Sequence, residues 1–253
     1  MGLTWVGLDD LIVEDERSFG HVAIYGELKR WLRAADIRFG VLGEGRSDHA
    51  TLLNLAFWRP GAFAEVLESD VITADQVAHN AWHAIAAAAL GEDARSVQGL
   101  LLAESIASAF DIYLVGRLLG HAPESSFLST QVPAMADAAL DAGLTEAELE
   151  ALVEEASASP EASFEALRSL LFDVACALVA CDGLEAAEHT LRSFEDRPHA
   201  ALLNHYELPT WVLFARCYGA GDGSRAREVD AALRSAPDSL AWLEDSWLRG
   251  LSA

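Results

Sequence analysis

The sequence predicts a mainly helical protein in which a small N-terminal α+β part is followed by an all-helical C-terminal domain. Three observations carry that expectation. Hydrophobic residues make up 52% of the 253, enough for one large core or two smaller ones when domains run to about 100–200 residues. Runs that read as strands, rich in β-branched and aromatic residues, end before Thr73. From Thr73 onward, helix-starting residues and turn-forming stretches alternate nearly to the end of the chain.

Taken in order, 21–35 ("HVAIYGELKRWLRAA") reads as a helix, and "IRFGVLG" and "TLLNLAFW" read as strands joined by the turn-forming "GEGRSD". Thr73 is placed to cap a helix over 74–90, and "GEDARS" makes the turn into a second helix over 96–119. After "GHAPESS" helices are expected near 132–143, 145–157, 160–181, 184–195, 207–218, 224–236 and 238–249. Thr145 with Glu148 forms a capping box, and Ser159 with Pro160 forms an N-cap followed by a first-turn proline. A domain boundary is drawn near residue 122, giving parts 1–122 and 123–253.

Composition narrows the partners. Forty acids against 17 bases leave a net charge of −23, which repels phosphate backbones and anionic headgroups over a screening length of about 8 Å. Nucleic acid and membrane surfaces are therefore excluded as expected partners, and a peptide or protein is the class that remains. The apolar stretch 97–116 approaches membrane-spanning length but carries Glu104 and Asp111; each would cost about 2.5–3.5 kcal/mol at a bilayer centre. Cys176, Cys181 and Cys217 form no C-x-x-C pair, and an odd number leaves a thiol unpaired. Together with an N-terminus that has acids where a signal peptide needs positive charge, this points to the cytoplasm. Oligomeric state is not legible.

One constellation carries chemistry. In "HNAWH", His79 and His83 are four apart, which places two imidazoles on one helix face about 5–6 Å apart at Cβ, within reach of one tetrahedral cation. The plain alternative is a solvated stripe, because Asp75, Gln76, His79, Asn80 and His83 share one arc of the helix. In the next helix the charged residues between Gln98 and Gly116 are Glu104 and Asp111. A separation of seven puts them about 20° apart, with Ser108 between. Carboxylates in an otherwise apolar helix need partners; a cation held by the histidines would serve, and so would Arg95, Arg117, a backbone amide or water. Asp75 and His79 with Glu104 and Asp111 also admit a dinuclear iron centre, which would require further carboxylates.

The order H-x-x-x-H and then "LLLAESIAS" some twenty residues later resembles the gluzincins, the thermolysin-like zinc metallopeptidases. That resemblance covers roughly residues 50–116 and implies zinc bound by His79, His83 and Glu104. It implies a polar supporting group at Ser108, and Asp111 one helical repeat on could orient a histidine. "NLAFW" resembles the family's substrate-binding edge strand, which implies Asn54, Ala56, Phe57 and Trp58 as its residues. The chain departs from the pattern at Asn80, where the family carries the glutamate that acts as general base. An amide does not titrate near neutral pH, and loss of a positioned base costs about 10²–10⁴-fold in rate. Ala103 replaces a further family asparagine. Three readings follow: a metal-binding but proteolytically silent protein, an enzyme of different chemistry, or a scaffold that has lost its metal. The competing class is a non-enzymatic acidic helical scaffold that binds a partner protein. In the C-terminal half, "LLFDVACALVACDGLEAAEHTLRSF" resembles the TerB-like helical fold, and "WVLFARCYGAGDGSRAREVDAALRSAPDSLAWL" is similar in rhythm to a tetratricopeptide hairpin; neither implies a function.

Overall fold

The computed structural model describes residues 3–42, 49–50, 53–54 and 65–251. The chain is mainly α, with its strands confined to the N-terminal part. It divides into two compact units, Met1–Gly91 with Glu244–Ala253, and Glu92–Leu243. The sequence-based line near residue 122 falls after the long apolar helix; the contacts place that helix with the C-terminal helices it packs on.

In the first unit, β1 (Thr4–Gly7) pairs antiparallel with β3 (Arg38–Val41), matching Thr4 to Val41 and Gly7 to Arg38, and β3 pairs in parallel with β4 (Val66–Leu67). A second, two-stranded sheet joins β2 (Ile12–Glu14) in parallel to β5 (Val71–Thr73). Between β2 and β3 runs α1 (Ala23–Ala34), whose Ile24, Tyr25, Leu28, Trp31 and Leu32 recur at helical spacing and are all buried. α2 (Ala74–Leu90) packs on α1 and starts where its capping residue predicts: Thr73 accepts the chain in extended conformation, and its backbone N–H donates to Gln76 Oε1 at 3.1 Å. Gly91 ends it at φ +60°. The 244–248 turn packs on both helices, and Arg249 pairs with Glu244 at 3.1 Å and Glu27 at 3.6 Å.

The second unit is built around α3 (Val97–Leu118), apolar on every side and almost wholly buried, as a central helix must be. It is long and apolar enough to cross a membrane, but 89% of its most apolar stretch is buried within the fold. Its partners are α4 (Ser126–Asp141), α5 (Glu146–Ala158), α6 (Pro160–Val179), α8 (Leu208–Tyr218) and α9 (Ser224–Ser235). Gly116 lets α5 come close, since a Cβ there would sit 2.1 Å from the Ala156 carbonyl oxygen. α7 (Leu184–Arg192) follows α6 and buries none of its residues, and α10 (Ser239–Leu243) closes the unit.

Most expected helices are present within a few residues. One starts earlier: α4 begins at Ser126 and carries Pro133 inside it. The burial of Phe127 and Leu128 outweighs the hydrogen bond that proline removes. A second difference concerns "TLLNLAFW". Residues 49–50 and 53–54 have helical backbone, so Asn54 is not in a strand; Ala56, Phe57 and Trp58 lie outside the described residues. Asn54 nonetheless supports the sheet, accepting from the Val66 backbone N–H at 2.7 Å and donating to its carbonyl at 2.9 Å. The amide thus satisfies a strand edge through its side chain.

One cluster of charges in the second unit is paired throughout. Arg168 is fully buried, and its guanidinium forks onto Glu165 at 2.6 and 2.7 Å and donates to Asp230 at 2.8 Å. Asp230 also accepts from Arg234, which reaches Asp173, which in turn accepts from Arg197. Three acids and three arginines balance. Asp93 similarly caps α9 from a distant point in the chain, accepting from the Gly223 and Ala226 backbone N–H groups at 3.0 and 2.8 Å.

Candidate metal centre

The spacing of His79 and His83 on α2 has the consequence the sequence predicts. Both rings are half-buried, their centroids are 4.8 Å apart at 58°, and their Nε2 atoms approach to 3.1 Å. Two zinc–nitrogen bonds of about 2.0–2.1 Å at a tetrahedral angle would hold their donor atoms about 3.3 Å apart. The two nitrogens are therefore spaced nearly as a shared cation requires, and at this distance one ring can donate to the other, the tautomers deciding which. His79 and His83 belong to α2 of the first unit, and Glu104 to α3 of the second. Paired imidazoles suit zinc or a neighbouring first-row divalent ion.

Ser108 is buried and Asp111 half-buried on α3; the Asp111 charge acts on the buried Tyr206 hydroxyl, which burial first and then that charge push well above its ordinary pKa. Asp75 is engaged at the start of α2, where burial raises its carboxyl and hydrogen bonds from Thr73 and the helix backbone partly offset the rise.

Asn80 is buried, and its amide is committed. It donates to the Gln76 carbonyl at 2.9 Å and to Glu65 Oε2 at 2.9 Å. Glu65 is the residue that sequence reasoning missed. Its other oxygen accepts from Asn54 Nδ2 at 3.2 Å. Enclosure raises its pKa, against which the Asn80 hydrogen bond and the His83 ring pull it down, while Asp75 raises it further. A glutamate just ahead of a two-residue apolar strand is an ordinary pattern, and only the pairing of β4 with β3 and the anchoring of Asn54 bring it to α2.

No known family model, curated protein or solved structure matches the chain.

Proposed function

We propose that the protein binds one divalent transition-metal ion, zinc foremost, through His79, His83 and Glu104. The scaffold would be of the thermolysin-like kind, with Asn80 where the usual catalytic glutamate stands. The observation that carries this reading is the 3.1 Å approach of the two Nε2 atoms. Without a base at position 80 the protein is either proteolytically silent or works by altered chemistry. Elemental analysis after exchange against zinc should give one equivalent per chain, falling to near zero in both His83→Ala and Glu104→Gln. Saturating zinc at 100 times its Kd should stabilise the native state by about 2.7 kcal/mol, an increment a chelator abolishes. Zinc-independent melting, or full metal content in both variants, would overturn the reading.

A second reading, an acidic scaffold that binds a partner protein, is favoured by one observation. Leu184, Leu191, Leu213 and Tyr218 of α7 and α8 are exposed, Leu184 at 86%, and apolar side chains left in water gain by burial against a partner. It predicts that a chelator leaves stability untouched.

A further inference from the structure

Within the second unit, an apolar groove lies where α3, α4 and α5 meet. Ile112 and Val115 of α3 are buried beneath it, Val132 and Met135 line it from α4, and Leu149 and Val153 line it from α5. Val132, Leu149 and Val153 are only half-buried, so the groove opens to water, where apolar surface is unfavourable. The charge around it is one-sided. Residues 118–167, which include both α4 and α5, hold ten acids and no lysine or arginine. Elsewhere in the chain acids meet arginines, as at Arg168 and Arg249. Glu146, Glu150 and Glu154 instead follow one another at four-residue intervals along an exposed side of α5 that begins about 60° around the helix from Leu149. Among the described residues none of the three forms an ion pair. Like charges four apart on a helix repel, a cost that a bound cationic group would relieve.

We propose that this groove docks an amphipathic helix of a partner protein, whose apolar stripe fills it and whose lysines or arginines lie along the edge formed by Glu146, Glu150 and Glu154. The proposal rests on the partner-protein reading and not on the metal reading, and it puts the contact on α4 and α5 rather than on α7 and α8. A helix lying in a groove is anchored by apolar side chains that recur at i, i+3, i+4 and i+7. Leu149 and Val153, four apart, offer such a stripe its counterpart along α5. Met135, unbranched, adapts its shape to whatever side chain enters. Apolar contact supplies the affinity. The glutamate edge steers basic helices in and rejects acidic ones, for which facing like charges cost binding. A second copy of this chain fits poorly, since at a net charge of −23 two copies repel each other.

The test uses the full chain and a fluorescein-labelled synthetic peptide of about 15 residues, long enough to turn helical on binding, with leucines at i, i+3, i+4 and i+7 and lysines on its flanks. Binding is read by fluorescence anisotropy in about 0.15 M salt, which screens the distant charges. The lysine peptide should bind, and peptides with glutamate for lysine, or with the same leucines in scrambled order, should bind at least about tenfold more weakly. The triple variant Glu146→Lys, Glu150→Lys and Glu154→Lys, all at exposed positions, should lose about tenfold in affinity with its helical circular dichroism unchanged. Leu149→Ser should lose as much through the apolar contact; should it not fold, Val132→Ser is read in its place. A matching reversal beside α7, Asp182→Lys with Glu185→Lys and Glu195→Lys, should leave affinity within about twofold of wild type. Equal losses from the two triple variants would reduce the binding to net charge and overturn the proposal. A loss confined to the α7 triple would move the contact to α7 and α8, sinking the groove while keeping the partner reading. A dimer in sedimentation that Leu149→Ser dissociates would give the groove to a second copy and overturn the choice of partner. No binding of the lysine peptide, or equal binding of the scrambled one, removes the groove proposal, whereas the partner reading stands or falls on its own chelator test.

Discussion

The Arg168 cluster in the second unit and the Glu65–His83 region in the first both place ionisable groups inside the protein, and they resolve the cost differently. Arg168 meets two carboxylates, and the chain of pairs beyond it ends with as many arginines as acids. In the first unit two imidazoles face one another at 3.1 Å, and Glu65 is held by neutral amides. A closed network has spent its electrostatics on structure. The Glu65 carboxylate, held by neutral amides, is braced without an opposite charge of that kind.

The sharpest way to break this comparison is at Arg168. Arg168→Ala leaves Glu165 and Asp230 without their buried partner and should cost about 3–5 kcal/mol, read as a lower urea midpoint with metal content unchanged. A loss below about 1 kcal/mol would mean the network is not the brace described. Asp93→Ala removes the acceptor for two N–H groups at the start of α9; about 1–2 kcal/mol of stability should go with it, again with no effect on metal content.

The smallest effect, and the one that sharpens the contrast, depends on pH. In the folded metal-free protein Glu65 binds its proton more tightly than an unfolded glutamate with a pKa near 4.5. Stability from this group is then fully present below that value and is lost as pH rises through the raised folded value. Glu65→Gln removes the loss. In urea unfolding of the metal-free protein at pH 4.5 and pH 8, the variant should gain on the wild type toward pH 8. A constant difference between the two would show that the carboxylate is not held against ionisation.

Local chemistry made much of the molecule readable in advance. The bounds of α2 follow from Thr73 and Gly91, and the histidine approach follows from a four-residue spacing, because both depend on contacts within one helical turn. The helix expected from 132 begins at Ser126 instead, because the burial of Phe127 and Leu128 that extends it is decided by packing and not by local sequence. "TLLNLAFW" looks like a strand by composition, yet Asn54 sits in helical backbone and braces Val66 through its side chain.

By itself, then, the amino-acid order determined the mainly helical class, the acidic surface and the two imidazoles on one face, since these rest on composition and on periodicities of a few residues. Tertiary structure alone decided that Asn80 should be occupied by Glu65, that Asp93 should cap α9, and that Arg168 should close its charges with Asp230. Each of those joins residues far apart in the chain, where pairing is chosen by which elements pack and not by what stands next in line.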